Sequence, residues 1–293
     1  MELLERLQYF DTFTASEKAV IQVIFQTPEI LKEATAQELA QAAYTSASTV
    51  VRLCRKLDCK NYNDFRVRLT SEMEKRSYKN LLIDANFPFK SADSAPDILS
   101  QITGLEQIAL QNTLEHLDLD SYRHAVSMLV QARQIDVYGA GINTHLAYDF
   151  AYKMERIHRK VSIGLDHQQQ ILSACTSGPD HCAIVISYSG ETTLTVRYAK
   201  ALYETKTPIL SITSQGENSV SSYAAQKLYI ATLEKQFSKI GPFASSLSIM
   251  TLLNYLYAGV FAQDYDDNYQ KLILTALRTT EFRSHAEPLR EDQ

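Results

Sequence analysis

The chain has 293 residues, 45% of them hydrophobic and 22% charged, with a formal net charge of -5 at pH 7. Such a composition excludes fibrous and intrinsically disordered classes and is long enough for two domains. An acidic balance also argues against indiscriminate coating of nucleic acid, so any DNA contact is expected to be local. The four cysteines, Cys54, Cys59, Cys175 and Cys182, lack paired metal-ligand spacing and read as reduced thiols; no metal or cofactor is expected. The opening MELLERLQYF has no basic flank before a long apolar core, and no apolar run reaches membrane-spanning length, so a cytoplasmic protein without membrane association is expected.

In chain order, Ser16 is expected to cap a helix, SEKAVIQVIFQ, with Ala19, Val20, Val23 and Ile24 as its apolar stripe and Thr27-Pro28 as its end. Thr35 with Glu38 then forms a capping box for a second helix whose Leu39, Ala40 and Ala43 face inward. Ser46 caps the next helix. There Val50, Leu53, Cys54 and Leu57 recur at spacings of three and four, leaving Ser48, Thr49, Arg52, Arg55 and Lys56 outside. Two short helices meeting at a turn, the second carrying hydroxyl and basic groups, predict a helix-turn-helix whose Ser46, Ser48, Thr49, Arg52, Arg55 and Lys56 touch double-stranded DNA. Residues 52 to 79 hold nine cations against four anions, a basic edge on an acidic protein. One residue disagrees with the motif: Tyr44 stands where the turn usually has glycine, and a left-handed backbone there costs a tyrosine on the order of 1 kcal/mol, so a slightly different turn is expected.

Residues 1–77 thus read as an all-helical domain, and the weakly patterned 78–96, with Asn86-Phe87-Pro88 and SADSAP, as a linker. Helical periodicity returns over 97–130 through Ile98, Ile102, Leu105, Ile108 and Leu110, then Tyr122, Val126, Leu129 and Val130. From 134, apolar runs (QIDVYGAG, KVSIGLD, HCAIVISYSG, TPILSITS, KLYIAT) alternate with helical stretches (INTHLAYDFAYKMERIH, ETTLTVRYAKALYE). That alternation predicts an α/β domain over 97–265, a parallel five-stranded sheet sandwiched by helices. A last helix, about 243 to 262, carries Leu247, Met250, Leu253, Leu256 and Tyr257, and 266–293 is expected to form a polar helical or frayed tail.

In such sheets ligands sit beyond the carboxyl ends of strands, near helix N-termini. Ser187-Tyr188-Ser189-Gly190-Glu191-Thr192 follows an apolar strand and opens a helix: Gly190 permits close backbone approach, and the hydroxyls of Ser187, Ser189 and Thr192 with free N–H groups suit a phosphate. Gly139-Ala140-Gly141 lies at a neighbouring strand end, but Thr144 occupies the third glycine position of a dinucleotide fingerprint, so a nicotinamide or flavin is not expected. Gly141, Asn143 and His167 are placed beside the sugar part of a phosphosugar, and His167 reads equally well as a surface histidine after a strand.

Both halves together resemble the RpiR-type bacterial transcriptional regulators, with an N-terminal helix-turn-helix and a C-terminal sugar isomerase (SIS) domain. The resemblance runs through SEKAVIQVI, TAQELAQAA and SASTVVRLCRKLDCKNYNDFR in the first half, and through IDVYGAGIN and AIVISYSGETTLTV in the second. It implies a dimer, or dimer of dimers, that binds an operator and senses a phosphorylated sugar or amino-sugar, with no catalytic residue. Asn143 replaces a serine common after the first glycine-rich turn, and FASSLSIMTLLNYLY lacks an arginine and an acidic residue often found there. Two alternatives stay open on the residues alone: a sugar-phosphate isomerase with a helical extension, using His167 and Glu191 for proton transfer, and an adaptor whose basic patch meets a protein.

Overall fold

The computed structural model describes residues 3–8, 13–75 and 83–279. The chain forms two compact units, one of Met1–Asp84 with Pro88–Gly104, the other of Ala85–Phe87 with Leu105–Gln293.

The first unit packs α1 (Leu3–Gln8), α2 (Ala15–Gln26), α3 (Ile30–Glu33), α4 (Ala36–Ala42), α5 (Ala47–Lys56) and α6 (Tyr62–Lys75). Leu7, Val20, Ile21, Ile24, Leu39, Val50, Leu53 and Phe65 are fully buried at its centre. The cap of α2 is Thr14 rather than Ser16: Thr14 and Glu17 exchange bonds as a capping box, and Val20, Ile21, Ile24 and Phe25 form the buried stripe. Ala19 and Val23, expected inside, are half-buried. The capping box of Thr35 with Glu38 is present at α4. Arg6 closes the other end of the motif, donating to the Leu57 and Lys56 carbonyls at the α5 C-terminus and pairing with Asp58 at 2.9 Å.

The turn between α4 and α5 keeps the motif's left-handed geometry despite its tyrosine. Tyr44 has φ 52° and is 98% exposed, so no packing of its ring offsets the strain. Tyr44→Gly is accordingly expected to raise unfolding free energy by about 0.5–1 kcal/mol, the strain relieved less the entropy gained by the unfolded chain, as read from urea titrations.

The second unit is built on a five-stranded parallel sheet in the order β2-β1-β3-β4-β5: β1 (Gln134–Gly139), β2 (Val161–Ile163), β3 (His181–Ser187), β4 (Ile209–Ser214) and β5 (Gln226–Ile230). Buried runs such as Cys182-Ala183-Ile184-Val185-Ile186 are what a sheet covered on both faces requires. After α7 (Ala95–Glu115), α8 (Leu119–Gln131) and α9 (Ile142–Arg156) join α12 (Phe243–Gln263) over one face; α10 (His167–Thr176) and α11 (Thr193–Glu204) cover the other. Among the described residues, α12 alone is long and apolar enough to cross a membrane, yet its Ile249, Leu252, Leu253 and Leu256 belong to the sheet's core. Its inward face differs from the expected one: Met250 is exposed and Leu247 and Tyr257 are half-buried. In α7 Leu110, expected inside, is exposed as well.

One element departs from the sequence expectation. The α10 helix begins at His167, where the pattern reads as a loop, because Asp166 caps it by accepting from the Gln169 N–H at 2.8 Å. The polar tail from 266 is ordered as α13 (Tyr265–Thr279), packed on α9 and α12 with Asn268 bonded to the Phe261 carbonyl; 280–293 lie outside the described residues, as do 78–82 of the linker.

Candidate functional site

The DNA-reading face expected on α5 divides once its neighbours are in place. Ser46 sits at the N-cap, but its hydroxyl meets Ser48 Oγ at 2.7 Å and Thr49 Oγ1 at 3.1 Å instead of capping the helix. Thr49, expected outside, is only 3% exposed; it lies inside the turn, where its Oγ1 also accepts from Arg52 at 3.4 Å. Ser48, Arg52 and Arg55 are exposed. Lys56 is exposed as well but engaged: its ammonium lies 3.2 Å from the buried Glu17 carboxylate and 4.9 Å from the centre of the Phe13 ring. Burial opposes ionisation of Glu17, yet the bond from the Thr14 N–H and the Lys56 ammonium outweigh it and hold that carboxyl below its usual value. Lys56 and Thr49 therefore orient the helix, while Ser48, Arg52 and Arg55 form its accessible edge. Of the remaining basic residues, Arg66 donates to the Lys32 carbonyl and Asn63, and Arg68 pairs with Asp64; the side chains of Lys75, Arg76 and Lys79 lie outside the described residues.

In the second unit the parallel register aligns Gly139 of β1 with Ile186 of β3, and Ser187 of β3 with Thr213 of β4, so three strands end side by side. Helices leave two of those ends at once. Gly141 is the N-cap of α9 at φ 58°, with nothing within 4 Å of the place a Cβ would take, and Asn143 is half-buried in the first turn of that helix. Thr192 is the N-cap of α11, and its side chain makes no capping bond, so the first N–H groups of α11 are left for an outside acceptor.

The loop from Ser187 to Thr192 is braced at Gly190. Gly190 has φ 68°, and a Cβ there would lie 2.0 Å from Asn218 Oδ1, so only glycine fits. Asn218 in turn bonds Thr213 Oγ1 and the Ser221 N–H, and the Val220 N–H donates to the Gly190 carbonyl at 3.0 Å. Ser189 Oγ accepts from the Glu191 N–H at 3.2 Å. Ser187 is 1% exposed, and its hydroxyl is buried with no hydrogen-bond partner. An orphaned hydroxyl at a strand end and an uncapped helix N-terminus are features that suit an anion.

His167, placed in the sequence beside the sugar, is exposed at the start of α10. Glu191 is occupied: its carboxylate accepts from Ser219 Oγ at 2.6 Å and the Ser219 N–H at 2.8 Å, which hold it below the usual carboxylate range. Sequence reasoning misses Gln170, which is buried and accepts from the Gly139 N–H at 3.0 Å; a Cβ on Gly164 would lie 2.7 Å from it. It also misses Tyr188, whose hydroxyl donates to the Glu234 carbonyl at 2.6 Å and accepts the Glu234 N–H at 3.1 Å. Neither sits on an apolar period, so only the fold reveals them. Among the described residues no His, Cys, Asp or Glu cluster could hold a metal.

Comparison with known proteins identifies both domains. Residues 1–76 match the model of the helix-turn-helix domain of the rpiR family, and residues 128–258 match that of the SIS domain. HexR of Pseudomonas aeruginosa is 29% identical over 262 residues, covering 88% of each chain, and HexR of Escherichia coli is 24% identical over 300 residues, covering 100% of each. Both are named HTH-type transcriptional regulators. Among solved structures, the Vibrio vulnificus NanR protein complexed with ManNAc-6P matches with TM-score 0.59 and 25% identity, over 96% of this chain and 100% of that one. The chain belongs to the RpiR family of helix-turn-helix transcriptional regulators that carry an SIS domain.

Proposed function

We propose that this regulator is a cytoplasmic homodimer, without enzymatic activity, whose DNA affinity is set by a phosphorylated sugar or amino-sugar bound at the carboxyl ends of β1 and β3. Ser187, Ser189, Gly190 and Thr192 receive the phosphate, and Gly141, Asn143 and His167 lie toward the sugar. Ser46, Ser48, Arg52 and Arg55 read an operator. A two-fold dimer sets two recognition helices about 34 Å apart, one turn of duplex, which fits a palindromic site. The observation that carries the reading is the Ser187 hydroxyl, buried without a partner next to an uncapped helix N-terminus. NanR, similar over nearly the whole chain, is known in complex with a sugar 6-phosphate. The bonds that Ser219 makes to Glu191 favour a binding site over an isomerase, since that carboxylate is already satisfied and poorly basic.

A thermal-shift screen of the 6-phosphates of glucose, fructose, glucosamine, N-acetylglucosamine and N-acetylmannosamine tests this. A ligand at about 100 times its dissociation constant stabilises by roughly 2.7 kcal/mol, a shift of several degrees. Ser187→Ala is expected to lose that shift while the free protein keeps or gains up to about 1 kcal/mol, because the hydroxyl removed has no partner. A shift retained in Ser187→Ala moves the phosphate elsewhere. Turnover of any of these sugars, with no DNA binding, restores the isomerase.

A further inference from the structure

The segment 85–87 is peculiar in the course of the chain: it belongs to the second unit, although the residues on both sides of it belong to the first. Two hydrogen bonds stitch it there. The Lys235 N–H donates to Asn86 Oδ1 at 2.6 Å, and the Ile240 N–H donates to the Asn86 carbonyl at 2.8 Å. Both donors lie in the loop between β5 and α12, and Ala85 is 7% exposed.

That same loop is gripped from the other side by Tyr188, which stands between the two serines at the end of β3. One phenol hydroxyl serves both the N–H and the carbonyl of Glu234, the residue next to Lys235. Burial pushes the Tyr188 phenol up to about 12, so it stays protonated and keeps donating at neutral pH. The Lys239 ammonium lies 4.7 Å from the centre of the Tyr188 ring and 2.7 Å from the Glu234 carboxylate, which fixes the middle of the loop. Every member between Ser187 and Asn86 is thus joined by a covalent bond or a short hydrogen bond.

We infer that Tyr188, Glu234 and Asn86 form the mechanical link by which occupancy of the phosphate loop reaches the segment leading to the DNA-binding unit. The inference rests on the phosphosugar reading above and names how that site is read out. An anion drawn into the Ser187–Ser189 cradle repositions the backbone at Tyr188, and the phenol carries that movement to Glu234. Lys235 and Ile240 move with it and either tighten or release Asn86. Asn86 and Tyr188 are positioning residues here; neither needs to touch the sugar. A ligand has leverage on DNA binding only through a difference in affinity between two states, and the stitched and released forms of segment 85–87 are two such states.

The test uses the full chain with the sugar 6-phosphate giving the largest thermal shift in the panel, and inorganic phosphate for comparison. In the wild type, hydrogen exchange at the Lys235 and Ile240 amides is expected to change together on saturation, and Tyr188→Phe is expected to abolish that change. Asn86→Ala is expected to keep the ligand's thermal shift, and hence its affinity within about threefold, while the sugar phosphate no longer alters operator affinity by more than about twofold. The outcomes separate cleanly. No thermal shift in the wild type overturns the phosphosugar reading itself. A normal shift with unchanged exchange at both amides overturns the link alone, as does Asn86→Ala protein whose operator affinity still responds as in the wild type. Should Asn86→Ala fail to fold, the wild-type and Tyr188→Phe exchange data decide between these results.

Discussion

Replacing Glu234 with alanine is expected to destabilise the second unit by about 3–5 kcal/mol and to lower its melting temperature by on the order of 10 °C. The side chain is wholly buried and carries the start of α12, which has no cap of its own because Pro242 occupies the N-cap. Its two oxygens accept from the Ala244 N–H at 2.6 Å, the Ser245 N–H at 3.1 Å and the Ser245 hydroxyl at 2.7 Å, and pair with Lys239 at 2.7 Å. A carboxylate at a helix N-terminus also meets the positive end of the helix dipole. Alanine leaves two buried N–H groups and a largely buried ammonium without their acceptor, and removing one member of a buried ionic cluster is among the costliest single changes. Glu234→Gln keeps one acceptor for Ala244 and is expected to cost less. Calorimetry of both variants checks this; a loss under about 1 kcal/mol for the alanine variant contradicts the assignment of Glu234 as the α12 cap.

The second large effect concerns DNA. Arg52→Ala with Arg55→Ala is expected to weaken operator binding by about a hundredfold or more and to flatten the dependence of log K on log salt by about 2, one unit for each arginine–phosphate pair removed. Both arginines are exposed on the helix that follows the turn, whereas Lys56 is held by Glu17. Lys56→Ala is therefore expected to lower stability, through the buried Glu17 left unpaired, more than it lowers DNA affinity. Anisotropy titrations at several salt concentrations, with a duplex selected by the protein from a random library, separate the two. Equal losses of affinity at all three positions contradict the division of α5 into an accessible edge and an orienting edge.

Much of this fold is legible in local pattern. The helix-turn-helix announces itself through Leu39, Ala40, Val50, Leu53 and Cys54, whose spacing follows one helical face, and through the Thr35 and Glu38 capping box. The strands are visible because a sheet covered on both faces needs uninterrupted apolar runs. The same reasoning fails where burial is polar. The α10 helix opens with a run of polar residues and docks through Gln170, a side chain that hydropathy counts as exposed but that the Gly139 N–H satisfies. At α2 the apolar stripe alone points to Ser16 as the cap, whereas Thr14 has the glutamate three residues on that a capping box requires. Thr49 and Lys56 escape local pattern for another reason: which groups of an exposed helical face are engaged depends on neighbours such as Glu17, 39 residues away from Lys56. Likewise the phosphate loop is readable from its hydroxyls and Gly190, whereas its bracing by Asn218 and its tie to Glu234 join residues far apart in the chain.

Coupling between an anion held by Ser187 and its neighbours and the grip of α5 on an operator underlies the proposed function. It is tested most directly by titrating the selected duplex with the wild-type chain and with Ser187→Ala, each with and without the sugar 6-phosphate panel. At least one sugar phosphate is expected to change wild-type affinity by about tenfold, and that of the variant by no more than about twofold. Affinity that no sugar phosphate alters, or that responds equally in Ser187→Ala, contradicts it.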